Sequence, residues 1–183
     1  VEGRVWVADA DGPITADNGR IWRPAGVVTP GDFGAPGDNV ELDTPALLEW
    51  ADYVARVAKV GYVDKIYRCS AELDFTQGGT VAASGITIYG DSDTGCEIQW
   101  QRMGCDQWWM KFNWMGSTAN SADVTLRNWR ARGYYSTLTK DTSCGVMAIN
   151  NHRWKIENFS VKYHGSCGIY ATRSFNSDLL NVK

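Results

Sequence analysis

The sequence predicts an all-β fold in which short parallel strands wind into a coil and stack turn upon turn as a solenoid, preceded by one amphipathic α-helix. Three observations predict it. Helical spacing of apolar residues occurs once, between Pro45 and Lys59; after Gly61 the chain breaks into short strands bounded by Gly, Ser, Asp and Thr; and one strand unit recurs. The unit is an apolar residue, a variable one, an asparagine and a second apolar residue: Leu126-Arg127-Asn128-Trp129, Ile156-Glu157-Asn158-Phe159 and Leu179-Leu180-Asn181-Val182. Its asparagines stand 30 and 23 positions apart.

A strand recurring at such intervals, with no helix between copies, suits a coil whose inward residues are buried only when the next turn stacks on them. An asparagine at the corner of each turn can bond its equivalents above and below, or nearby backbone. Glu97–Trp100, Met110–Trp114, Val146–Ile149 and Gly168–Ala171 supply the remaining sides. An antiparallel sandwich would instead need tight hairpins, and neither Asn-Gly nor Asp-Gly occurs after residue 61.

Taken in order, residues 1–28 alternate loosely and are broken by Asp-Gly-Pro and Asp-Asn-Gly turn signals, which predicts an extended arm without its own core. The helix follows: Leu47, Trp50, Ala51, Val54, Ala55 and Ala58 share one face, and Glu49, Asp52, Arg56 and Lys59 the other. Thr44 is its expected N-cap, Pro45 its first residue, and Gly61 its close. Residues 29–183 are expected to form one unit, incomplete at Asn181-Val182-Lys183, so that the natural protein continues.

The chain has 183 residues, enough for one sizeable core. A net charge of -3 argues against nucleic acid as a partner, and no apolar run reaches the length of a membrane span. Val1-Glu2-Gly3-Arg4 has neither an initiating Met nor a signal-peptide profile, and reads as a cut or processed end. Cysteines at 69, 96, 105, 144 and 167 include no C-x-x-C pair and no histidine at zinc-finger spacing, so no zinc site is expected, and a chain of this size is not expected to rest on a disulfide framework. No cofactor is expected and no metal.

The stretch before the helix, Asp32-Phe33-Gly34-Ala35, then Gly37-Asp38, then Asp43-Thr44, resembles the opening motif of the pectate-lyase-like right-handed parallel β-helix superfamily. Gly85-Ile86-Thr87-Ile88-Tyr89-Gly90 is similar to the strand that opens its first regular turn. The resemblance covers about residues 29–183. It implies a right-handed parallel β-helix capped at its N-terminus by the amphipathic helix, with Asp32, Phe33, Gly34, Gly37, Asp38, Asp43 and Thr44 in structural roles. The superfamily is abundant in bacteriophage tailspikes and in polysaccharide-degrading enzymes. The expectation is therefore the N-terminal part of a homotrimeric tailspike, made in the host cytoplasm and carried on the virion. It would contact tail or baseplate proteins through the arm and recognise, and in its remaining turns cleave, a bacterial surface polysaccharide. A secreted polysaccharide lyase or glycoside hydrolase, and a non-catalytic adhesive β-helix, are the other readings.

Catalytic residues are not assigned. Asp91-Ser92-Asp93-Thr94-Gly95 is spaced like the start of a calcium loop, but Glu97 falls at the seventh position and not the twelfth, which leaves a solvated turn. His152 and His164 have no nucleophile elbow beside them. Arg127, Arg130, Arg132 and Arg153 could line a groove for an anionic sugar. Aromatic residues are the strongest hint: Trp108, Trp109 and Trp114, with Trp100, Phe112, Trp129, Tyr134 and Tyr135 nearby, are too many for one coil to turn inward. On a strand Trp108 and Trp109 point to opposite faces, so one of them meets carbohydrate, a partner subunit or a long loop.

Overall fold

The computed structural model describes residues 26–76, 82–92, 94–101, 108–113, 119–133, 144–174 and 176–183, together with the backbone of three short strands nearer the N-terminus. Those three, β1 (Trp6–Ala8), β2 (Ile14–Thr15) and β3 (Ile21–Pro24), form an antiparallel sheet in the order β1-β3-β2.

Before the helix the chain bends twice. Thr29 donates its backbone N–H and its hydroxyl to Asp32 Oδ2 at 2.7 and 3.1 Å, closing a 3-10 turn over Pro30–Phe33. Gly34 ends that turn at φ +93°, a left-handed conformation open to glycine at no steric cost. Helix α1 spans Thr44–Tyr53 and buries Ala46, Leu47, Trp50 and Ala51, while Asp52 and Arg56 pair on its solvent side. Its ends differ from expectation. Thr44 is the first helical residue rather than the cap, and Thr44 Oγ1 accepts the Ser70 N–H at 2.9 Å. The far end widens into a π-helical turn, Val54–Ala58, closed by Lys59 N–H to Val54 O at 3.0 Å with Lys59 left-handed at φ 61°. Gly61 lies two residues further, inside a strand. It is needed there because a Cβ would fall 2.6 Å from Trp50 Cζ2.

Beyond the helix come four successive rounds of strands. The first holds β4 (Val60–Tyr62), β5 (Ile66–Cys69) and β6 (Leu73–Asp74). The second holds β7 (Thr87–Tyr89), β8 (Glu97–Trp100), β9 (Trp108–Lys111) and the short β10 (Ser121–Ala122). The third holds β11 (Thr125–Arg127), β12 (Arg130–Arg132), β13 (Cys144–Ile149) and β14 (Asn151–His152). The fourth holds β15 (Lys155–Glu157), β16 (Ser160–Lys162) and β17 (Ile169–Thr172), followed by β18 (Asp178–Leu180). Equivalent strands pair in parallel. The first sheet runs β4-β7-β11-β15-β18, the second β5-β8-β12-β16 and the third β6-β9-β13-β17, with β10-β14 beside them.

Register sets the core. Ile88, Leu126 and Ile156 stand opposite one another in the first sheet, Tyr67, Ile98, Ala131 and Val161 in the second, Leu73, Met110 and Val146 in the third, and all are buried. Each large aliphatic residue so placed contributes about 1.5–3 kcal/mol. Aromatic rings continue the packing away from the helix: Trp50 meets Phe75 edge-on at 6.1 Å, Phe75 stacks on Phe112 at 4.7 Å, and Phe112 meets Trp154 at 5.1 Å. Asn128, Asn158 and Asn181 turn the chain at φ 58°, 49° and 50°. Asn158 Nδ2 donates to Asn128 Oδ1 at 3.2 Å, and Asn181 Nδ2 to Asn158 Oδ1 at 3.0 Å.

The expected fold class is corrected here. A right-handed parallel β-helix, a solenoid closed around its axis, is not shown. Among the described residues the parallel strands fall into separate open sheets lying side by side, accompanied by one short helix, and no hydrogen-bond ladder joins one sheet to the next. The physical reason lies in what a repeat specifies: recurring Asn-aromatic corners fix which strands stand in register, whereas closure depends on how neighbouring sheets meet, which strand periodicity does not encode. The helix packs against β5 and β6 at the first edge of their sheets, and the π-helical turn packs against β4.

Candidate functional site

The residues of the opening motif hold the helix in place and leave no carboxylate spare. Asp43 is buried; its Oδ1 accepts the Gly37 N–H at 3.3 Å and its Oδ2 the Arg68 N–H at 2.9 Å. Asp38 Oδ1 accepts the N–H groups of Val40 and Glu41 at 2.8 and 3.2 Å, and these bonds hold its carboxyl below the usual carboxylate range. Phe33 packs its ring 5.5 Å from Tyr53, and Gly37 lies so close to Tyr67 that a Cβ would come within 2.8 Å of the ring.

The tryptophans separate by environment. Trp109 is fully buried, stacked on Trp100 at 5.5 Å and 9°, so its ring offers no face to a ligand, and the expected place of Trp109 in a carbohydrate site is corrected. The cause is a pocket built by chain geometry: Gly133 passes so near the Trp109 indole that the ring is sealed beneath it. Trp108 is half-buried and leans against Tyr170, ring centroids 5.5 Å apart, where Tyr170 is 36% exposed. Trp100, Phe112 and Trp129 are buried. Trp114, Tyr134 and Tyr135 lie outside the described residues.

A polar cluster fixes Trp108. Glu72 Oε2 accepts its backbone N–H at 3.3 Å, and Lys111 Nζ bridges Glu72 Oε1 at 3.6 Å and Asp74 Oδ2 at 3.5 Å. Asp74 Oδ1 takes the Thr76 N–H at 2.7 Å. All four carboxylate oxygens therefore have partners, which suits an anchor for an aromatic platform better than a catalytic acid and base. Neither Glu72 nor Asp74 is conspicuous in the sequence, because their meeting with Lys111 depends on β6 lying beside β9.

On the first sheet a second aromatic group appears that sequence reading missed. Tyr62 and Tyr89 stand in register with rings 5.0 Å apart, and the Arg127 guanidinium lies 5.4 Å from the Tyr89 centroid. Tyr62 donates its hydroxyl to Asp91, and that bond raises its pKa above the ordinary range. Of the expected Asp91–Gly95 turn, Asp91 is engaged with Tyr62, and Asp93 lies outside the described residues.

The remaining sequence candidates scatter. Arg153 forks onto Asp123 at 2.7 and 2.6 Å with His152 Nδ1 3.0 Å from Arg153 Nη1, and the pair holds the Asp123 carboxyl below its usual range. His164 sits apart, its Nδ1 buried with no hydrogen-bond partner among the described residues, and burial lowers its pKa. Burial pushes the Cys69 thiol up to about 11, an unreactive setting. Among the described residues no group of three or more His, Cys, Asp or Glu side chains is placed to hold a metal ion, and no helix is long and apolar enough to cross a membrane.

No protein-family model and no curated protein sequence matches the chain. Among solved structures it is similar to ORF18 of Geobacillus virus E2, with a TM-score of 0.57 and 15% identity over 75% of this chain. The chain spans 26% of that phage protein. It is also similar to a protein of Parabacteroides merdae described as a candidate glycosyl hydrolase, at a TM-score of 0.43 and 13% identity, over 86% of this chain and 91% of that one. The first likeness is one of fold.

Proposed function

We propose that this chain is a segment of a phage tail protein that attaches the virion to a bacterial surface polysaccharide, and that the segment's own work is mainly structural. The observation that carries the reading is the Trp108–Tyr170 pair: two large rings in contact across β9 and β17, partly open to solvent, with the backbone of Trp108 pinned by Glu72. Exposed aromatic faces in a fixed pose suit the apolar faces of sugar rings, at little cost in side-chain entropy. The phage origin of ORF18 supports the tail half of the reading. The protein assembles as a homotrimer, its N-terminal arm meets other virion proteins, and any cleavage of the polysaccharide belongs to residues outside this segment.

The test is affinity electrophoresis of the chain through gels containing extracted capsular and O-antigen polysaccharides, with Trp108→Ala beside it. At least one polysaccharide is expected to retard the chain, and Trp108→Ala to weaken retention roughly tenfold with its thermal midpoint little changed. Retention by none overturns the glycan reading. Light scattering that finds a stable monomer overturns the trimer, and release of reducing ends by this chain alone overturns its structural role.

A further inference from the structure

The outer face of the second sheet carries an ordered row of polar groups that no part of the reading above uses. Parallel register sets Arg68 beside Gln99, Gln99 beside Arg132 and Arg132 beside Lys162, one from each of four neighbouring strands. At strand spacing the row extends about 14 Å. A groove of about 330 Å³ opens over it, lined by Arg68, Gln99 and Arg132 and by Asn39, Gln101 and Gly133. At its far side the Arg132 guanidinium lies 5.1 Å from the centroid of Tyr163, an exposed ring.

Charge on this face runs against that of the molecule. The chain as a whole is at -3, yet on this face Glu97 is almost wholly enclosed, with its oxygens 3.0 Å from Arg130 and 3.6 Å from Arg132. One carboxylate thus faces two guanidinium groups, and even with Asp38 set against Arg68 the cations of this face, Arg68, Arg130, Arg132 and Lys162, outnumber these two acids. Arg68 donates one N–H to Val40 O, which fixes its side chain at the groove edge, and Asp38 stands near it. Lys162 is exposed.

We infer that the Arg68–Gln99–Arg132–Lys162 row binds an acidic polysaccharide, with sugar carboxylates on the cations and hydroxyls on the amides of Asn39, Gln99 and Gln101. Guanidinium groups suit carboxylates by paired, charge-assisted hydrogen bonds. Side-chain amides both donate and accept, as a hydroxyl-rich ligand requires. A nucleic acid fits less well, since three cations interrupted by amides on an acidic protein offer a weak field for a phosphate backbone. The inference rests on the polysaccharide-binding reading and assigns it an acidic substrate class and a second surface, remote in kind from the Trp108 platform.

The experiment measures binding of the chain to uronic-acid polymers (polygalacturonate, alginate and hyaluronate), to their carboxyl-methylated esters, and to a single-stranded oligonucleotide of matched charge. Lys162→Glu is the principal variant because the side chain is exposed; Arg132→Gln, which also loosens Glu97, is read only alongside its thermal midpoint. At least one uronate polymer is expected to bind, its ester not to bind, and Lys162→Glu to weaken binding about tenfold, with added salt weakening it further. Binding of none of the polymers, equal binding of acid and ester, a Lys162→Glu variant equal to the parent, or an oligonucleotide bound as tightly as the glycan each overturns the inference. If bacterial polysaccharides bind through Trp108 while no uronate polymer binds, this inference fails and the earlier reading stands. If uronates bind through Lys162 and no bacterial polysaccharide binds, the reverse holds.

Discussion

The carboxylate of Asp43 accepts the backbone N–H of Arg68 from 25 residues away, at 2.9 Å, and so fastens the start of the helix to the edge of the second sheet. Its other oxygen holds Gly37 in the turn before the helix. Asp43→Ala leaves two donors without their acceptor, and a destabilisation of roughly 2–4 kcal/mol is expected. Asp43→Asn retains one acceptor oxygen and should lose about half of that. Chemical denaturation midpoints at constant slope check both.

Gly133 seals Trp109. A Cβ there would stand 2.1 Å from the indole Cζ2 and 2.4 Å from the carbonyl oxygen of Tyr163. Gly133→Ala is therefore expected to destabilise by at least the roughly 1–3 kcal/mol typical of overpacking. Pairing it with Trp109→Ala, which alone costs about 3–5 kcal/mol, separates the two effects. The double variant should be less destabilised than the sum, because the clash has lost its partner. Strict additivity of the unfolding free energies would refute the contact.

Asn158 combines a left-handed backbone with bonds to the asparagines on both sides. Asn158→Ala keeps neither and is expected to cost about 2 kcal/mol, most of it from the strained backbone. Asn158→Gly restores the backbone alone. If glycine is no better than alanine there, the backbone account is wrong.

Acid should act in two windows. Burial holds the His164 pKa below its ordinary 6.5, so the folded state favours neutral imidazole. That contribution is fully present above pH 6.5 and is lost as pH falls through the lowered folded value. Asp123 is depressed below 3.8 by the Arg153 fork, so its contribution is present above pH 3.8 and is lost as pH falls through its own folded value. Thermal midpoints between pH 2 and 8 should show His164→Gln flattening the first window and Asp123→Asn the second. An unchanged profile in either variant removes that residue from the account.

Much of this architecture is legible along the chain. Three- and four-residue steps from Leu47 to Val54 announce the helix, and the Asn128, Asn158 and Asn181 units announce which strands share a register. What is not legible depends on neighbours distant in sequence. Alternation along β9 parts Trp108 from Trp109, but which of the two turns inward depends on the register of β9 beside β13, and the close pass of Gly133 over the Trp109 indole depends on the fold as well. Glu72 beside Lys111, Tyr62 on Tyr89, and Glu97 between two arginines exist only once strands about 30 residues apart lie side by side. The close of the helix at Lys59 was hidden for another reason: a non-glycine residue took the left-handed position, while Gly61 was reserved for contact with Trp50.

The Asn128-Trp129 and Asn158-Phe159 corners join the first sheet to the second by two residues each, and their stacked amides leave no slack. The links from the second sheet to the third, residues 101–107, 133–143 and 163–168, differ in length while the strands on both sides keep their register. Tolerance to added sequence is thus expected to differ between the two sets of links. The links to the third sheet change length without re-pairing a strand, whereas the later two crossings between the first and second sheets, at Asn128 and Asn158, both take two residues. A grafted loop intended to alter what the protein meets belongs in the 133–143 link.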